Sequence, residues 1–270
     1  MHKLPQFRWA LAHKYAIDAS QLGDTETCAW TNLGLWHSKN QSYVQACEQL
    51  AINLANQLQV CKTDHLLDLG CGQGASLFFW QRYYSVQQIT AVELQADCVR
   101  NIQNRCQDIQ VYHSSFLSLD CLKQKYDVIV CIDALYHSGL SDFFKAIAHV
   151  VKPNTRVGFH HLLLNERWQQ QTWLQKKTYQ YLLKVANVQF KHIETATTLQ
   201  CMVQSQGYND LNIQVLSQDV FAGFAHYVEH LPAEKLKGLS GLKIKMTAKL
   251  CQKLYQDGLI DYVQVTVSKD

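Results

Sequence analysis

The chain has 270 residues, 47% of them hydrophobic and 11% aromatic, which is enough to bury a sizeable core and excludes a disordered chain. Twenty-five Lys and Arg against 22 Asp and Glu leave a net charge of +3, and no basic block marks a phosphate-tracking surface, so nucleic acid is not an expected partner. The ten cysteines are scattered singly with no C-x-x-C pair, which argues against zinc or redox motifs and reads as small apolar core residues kept reduced. The opening "MHKLPQFRWALAHKYAIDAS" has no continuous apolar run of the kind a signal peptide needs, and nowhere do eighteen apolar residues run together. A protein without a membrane span, in a reducing cytoplasm, is expected.

In chain order, "HLLDLG" (65–70), "QITAVEL" (88–94), "IQVYHSS" (109–115), "YDVIVCID" (126–133) and "TRVGFHHLLL" (155–164) are short and apolar on both faces. That is the pattern of buried parallel strands. The stretches between them, such as "GLSDFFKAIAHVV" with Phe143, Ile147 and Val150, repeat apolar residues at helical spacing. Strands alternating with helices predict right-handed crossovers and a doubly wound α/β sheet.

After residue 164, "NERWQQQTWLQKKTYQYLLKVANVQF" is Gln-rich, aromatic and helical with no strand signal, so it reads as an insertion. Gly207 fits the end of a helix before a strand in "SQGYNDLNIQVLS", residues 218–257 read as a second helical excursion, and the alternation in "LIDYVQVTVSK" suits a strand nearer an edge. The expected division is a lid over 1–60, a core over 61–164, a cap over 165–193 and the rest of the sheet over 194–270, with no internal repeat.

The most informative stretch is "DLGCGQG". Gly70, Gly72 and Gly74 fall where the first strand would turn into the first helix, so the backbone can bend sharply and a ligand can lie against it. The dinucleotide fingerprint needs its third glycine three residues after the second, whereas here it follows after two, and Asp68 precedes the first; both features count against a nicotinamide cofactor.

With Asp68 before the glycines and Glu93 at the end of the second strand, the stretch resembles the cofactor motif of class I S-adenosylmethionine-dependent methyltransferases. The resemblance implies a mostly parallel seven-stranded Rossmann-like sheet and S-adenosyl-L-methionine as cofactor. Asp68 would lie near its methionine end, and Glu93, with Leu94 beside it, would bond the ribose hydroxyls, a task suited to a two-oxygen acceptor. Many members carry an Asp for the adenine amino group after the third strand. Here "HSSF" offers Ser115 instead, with Phe116 able to pack on the adenine face or to be ordinary core.

On the substrate side, Asp133, Tyr136 and His137 resemble the acid and Tyr-His that the small-molecule branch of the superfamily shows beyond its fourth strand. Strand ends on the carboxyl side of such a sheet face the ligand crevice, and a histidine there is a natural proton acceptor near neutral pH. His137 is the first candidate base. His160 and His161 stand where related enzymes often have an acid; neighbours on a strand face opposite sides, so one of them can enter the cleft, and position favours His161. A metal is not expected, because the adjacent pair cannot chelate together.

The segment "WTNLGLWHSKNQSY" resembles the lid of the same branch, which implies that Leu33, Gly34, Trp36 and Tyr43 cover the cofactor, with Trp36 either touching substrate or packing in the core. Trp168, Trp173, Tyr179 and Tyr181 would form the other, apolar wall. The expected activity is methyl transfer to an oxygen or nitrogen of a small metabolite. Two alternatives stand: carbon or lipid methylation of the cyclopropane-synthase kind, disfavoured by the lack of an evident basic amphipathic face, and a non-catalytic cofactor- or partner-binding module.

Overall fold

The computed structural model describes residues 17–106 and 108–270. The first sixteen residues of the expected lid lie outside the described residues.

Five parallel strands form one half of the sheet: β1 (His65–Leu69), β2 (Gln88–Glu93), β3 (Gln110–His113), β4 (Tyr126–Cys131) and β5 (Val151–Leu164). They are joined by α2 (Ala75–Tyr84), α3 (Ala96–Arg105) and α4 (Leu140–Ile147), while α1 (Tyr43–Gln57) precedes the sheet. Near-total burial of "LLDL" and "ITAVE" explains their unbroken apolar character, because helices cover both faces. After β5 come α5 (Trp173–Val185), a two-residue β6 (Glu194–Thr195), α6 (Ala196–Ser205), β7 (Tyr208–Val215), α7 (Gly223–Glu229), α8 (Gly238–Asp257) and β8 (Ile260–Lys269). The strand order is β3-β2-β1-β4-β5-β8-β7, with β6 paired only to β5, so the sheet has eight strands, one more than expected.

The switch of strand order between β1 and β4 opens a crevice at their carboxyl ends, where ligands settle in such sheets. Two apolar clusters, one on each side, hold the layers together, with Trp80, Leu54 and Tyr262 in the first and Phe143, Phe144 and Phe159 in the second.

β8 lies near the edge, running antiparallel between β5 and the edge strand β7. Its alternating Gln264 and Thr266 are buried, and Gln264 is satisfied by Asn53 of α1, whose amide donates to it at 3.1 Å. Two expectations need correction. The cysteines are all free, but only Cys47, Cys131 and Cys251 are buried; Cys61, Cys121 and Cys201 are exposed. The segment 165–193 is not one long helix. It consists of a 3-10 turn (Glu166–Gln170), α5 with a Thr172–Gln175 capping box, and a second 3-10 turn (Phe190–His192).

Candidate active site

A cavity of about 550 Å3 lies at the carboxyl ends of β1, β2 and β4, closed on one side by the loop before α1 and on the other by α5 and α8. The sequence builds its floor. The turn after β1 needs left-handed backbone at Gly70 (φ 76°) and Gly72 (φ 56°), and both line the cavity with no side chain between backbone and ligand space. Gly74 (φ 92°) serves otherwise. It caps α2 outside the cavity, and a Cβ there would sit 2.7 Å from Ile102, so its bareness admits α3 rather than a ligand.

Glu93 ends β2 buried at the cavity wall, with one carboxylate oxygen accepting the Gly72 N–H and the other the Gln95 N–H, each at 2.8 Å. This ties the β2 end to the glycine turn. Asp68, the last buried acid of β1, accepts the Trp80 indole N–H at 2.8 Å. Burial raises its pKa to about 6, against the lowering effect of the Trp80 and Ser76 hydrogen bonds. Leu94, Ser115 and Phe116 also line the cavity; the Ser115 hydroxyl accepts the Leu117 N–H at 3.1 Å.

Asp133 has left-handed backbone (φ 53°), a conformation that Asp tolerates better than most residues. Its carboxylate accepts the Leu33 N–H at 2.7 Å and the Tyr262 hydroxyl at 2.9 Å, with Tyr136 a further donor. Burial lifts its pKa to about 6 as well, with those hydrogen bonds opposing. Tyr136 and His137 stand in a 3-10 turn (Leu135–His137) on the cavity wall, their rings 4.6 Å apart. His137 Nδ1 lies 3.1 Å from the Asn187 carbonyl just past α5. A carbonyl only accepts, so Nδ1 bears the proton and Nε2 is the basic nitrogen of the neutral ring.

Three expected site residues stand elsewhere. His161 is fully buried on β5, its Nε2 3.1 Å from the His192 carbonyl and 3.3 Å from Glu194, and it does not line the cavity. Trp36 is a packing residue: its ring stacks on Tyr227 at 4.4 Å and its indole donates to the Leu33 carbonyl, bracing the lid from behind. Trp168 packs against Phe190 and Tyr179 beneath the cap. His160 is also internal, paired with Gln264 at 3.2 Å, and burial lowers its pKa to about 4.

The residues missed at sequence level come from α8. Lys243, Met246, Thr247, Leu250, Cys251 and Leu254 recur at 3-4-7-8-11 spacing and form one wall of the cavity. The periodic face was visible in the sequence, but nothing there said what it would face. The helix also revises the view that no basic amphipathic face exists, since Leu239, Leu242 and Met246 are exposed along it among Lys243, Lys245 and Lys249.

Bare glycine backbone, a buried carboxylate one strand away and a second buried acid behind the turn suit a nucleoside carrying a cationic centre: the glycines admit it, Glu93 can accept from paired hydroxyls, and Asp68 and Asp133 offer negative charge. Residues 66–154 match the family described as a methyltransferase domain. Over 159 residues, 55% of this chain, the sequence is 30% identical to the erythromycin 3''-O-methyltransferase of Saccharopolyspora erythraea; that match spans about half the length of the relative. In fold, the chain is similar to a cyclopropane synthase of Mycobacterium tuberculosis, with TM-score 0.75 and 19% identity over 98% of this chain and 99% of that one. It is also similar to a geranyl diphosphate C-methyltransferase of Streptomyces coelicolor A3(2), solved with S-adenosyl-L-homocysteine, with TM-score 0.69 and 15% identity over 93% and 92% of the two chains. The fold is thus the class I methyltransferase sheet. Residues 66–154 match a methyltransferase domain, and the residues of the site fit S-adenosyl-L-methionine as its cofactor.

Proposed function

We propose that this protein methylates an oxygen or nitrogen of a small, partly apolar metabolite, with oxygen favoured. The observation that carries the reading is that one cavity joins the Gly70–Gly72–Glu93 cradle to His137 and to the apolar α5–α8 wall. When bound, S-adenosylmethionine supplies an electrophilic methyl group on its sulfonium sulfur. This chain's residues then have two tasks. The cradle and the lid hold the donor, and the α8 wall, with Leu182 and Val185 of α5, holds the acceptor and excludes water. His137, its tautomer fixed by the Asn187 carbonyl, takes the proton from an acceptor hydroxyl at Nε2. The sequence likeness to an O-methyltransferase supports oxygen as the methylated atom.

The exposed apolar residues at the cavity mouth favour a second reading, carbon or lipid methylation of an amphiphilic acceptor. Ten free cysteines support work in a reducing compartment; among the described residues, no helix is long and apolar enough to cross a membrane.

The test is release of S-adenosylhomocysteine from a panel of hydroxylated, amine and acyl-lipid acceptors, repeated with His137→Ala. For a hydroxyl acceptor, turnover should fall about 100- to 10,000-fold while cofactor affinity hardly moves. Turnover confined to an unsaturated lipid, or unchanged in the variant, would overturn the oxygen reading.

A further inference from the structure

The exposed side of α7 carries a second cluster of chemically competent side chains, none of which lines the cavity. His226, Glu229 and His230 follow the i, i+3, i+4 spacing that puts three side chains on one helix face. A ligand atom from each lies within 4.8 Å of those of the other two, and the two imidazole rings are 4.0 Å apart.

The hydrogen bonding of His230 is the second observation. Its Nδ1 lies 2.8 Å from the His226 carbonyl, so Nδ1 donates and the lone pair is held on Nε2. Metal-ligating histidines are oriented in this way, through a backbone carbonyl on the other ring nitrogen. Among the described residues Glu229 forms no ion pair with a lysine or arginine. Two imidazoles and one carboxylate are borderline ligands that suit zinc, nickel or cobalt, whereas magnesium and calcium prefer sets made of oxygen alone.

We infer that α7 binds one divalent transition-metal ion of the zinc type through His226, Glu229 and His230. Three protein ligands leave the remaining position to water, and the ion cross-links the last turn of the helix. The site lies behind the lid. Tyr227, on the same helix, donates its hydroxyl to the Leu22 carbonyl at 2.6 Å and stacks on Trp36, and Trp36 donates its backbone N–H to the Asp219 carbonyl at 3.0 Å. Stiffening α7 therefore stiffens the support of the loop that closes the cavity.

Chelator-treated protein is titrated with zinc by calorimetry and with cobalt(II) by visible absorption, alongside His230→Ala, Glu229→Gln and the His226→Ala/His230→Ala double variant. The expected result is one ion per chain, a cobalt spectrum of nitrogen and oxygen ligands, and binding weakened at least about 10-fold in His230→Ala, since loss of an outer-shell partner alone costs about 10- to 100-fold. Zinc should raise the melting temperature of the wild type but not of the double variant. His230 and Glu229 are exposed, so both single variants should fold, and because neither lines the cavity, their binding of S-adenosylmethionine reads the methyltransferase assignment separately. Zinc affinity unchanged in the double variant, or a thiolate charge-transfer band with cobalt, would overturn the site.

Discussion

Asp133, just beyond β4, accepts the backbone N–H of Leu33, 100 residues earlier, at 2.7 Å, so the carboxylate that the cavity shares with its substrate wall also holds the lid. The same carboxylate takes the Tyr262 hydroxyl from β8 at 2.9 Å, which makes it the junction of lid, sheet and the Tyr136–His137 turn. Most of its hydrogen-bonding capacity is spent within the protein. Its primary role follows from that: it positions the lid, and its contribution to the cofactor is charge.

Substitution at Asp133 should therefore loosen the lid. Asn tolerates the left-handed backbone and keeps one acceptor oxygen, while Ala loses both acceptors and is strained at φ 53°. Hydrogen exchange over residues 29–36 should quicken slightly in Asp133→Asn and strongly in Asp133→Ala. Equal protection in all three proteins would remove Asp133 from the lid's support.

Cofactor affinity should depend on pH. Asp68 and Asp133, both raised from 3.8 to about 6 by burial, are ionised at pH 7.5 and largely protonated at pH 5. A cationic sulfonium near them is bound more weakly once they are neutral, so affinity should fall as pH drops through 6, and less so in Asp133→Asn. Stability of the empty protein moves the other way. Between pH 3.8 and 6 the folded chain binds more protons at these acids than the unfolded chain, so their contribution to stability is lost as pH rises through that window. His160, lowered from 6.5 to about 4, opposes them, adding stability as pH rises over that range. Calorimetric titrations with S-adenosylmethionine from pH 5 to 8 check the first claim; a flat profile would place the cationic centre away from both acids.

Gly74 and Gly72 look alike in the sequence and should behave differently. Gly74→Ala puts a Cβ into left-handed backbone and 2.7 Å from Ile102, which should cost about 2 kcal/mol or more of stability. Denaturant unfolding measures this. A neutral Gly74→Ala would mean that α3 shifts freely.

Much of this architecture was legible locally. Parallel strands announce themselves by being apolar on both faces, and the glycine turn with its flanking acids needs residues within 30 positions of one another, so Asp68, Gly70, Gly72 and Glu93 could be read directly. The antiparallel place of β8 between β5 and β7 could not, because it depends on backbone pairing with a strand far away in sequence. The α8 wall is an ordinary amphipathic face until the fold says which side meets the cavity. His161 misled for a related reason: its position at the end of β5 was right, but strand pleating turned its ring toward Glu194.

The most direct test of the central claim is calorimetric titration of S-adenosylmethionine into the wild type and Glu93→Gln, with thermal melts to confirm folding. Glu93 lies buried against the cradle, so neutralising it should weaken binding by about 1.5–3 kcal/mol, roughly 10- to 150-fold. Saturable one-to-one binding that falls by that amount in a folded Glu93→Gln variant is the predicted result. Absence of binding to the wild type, or equal affinity in a folded variant, would contradict the account.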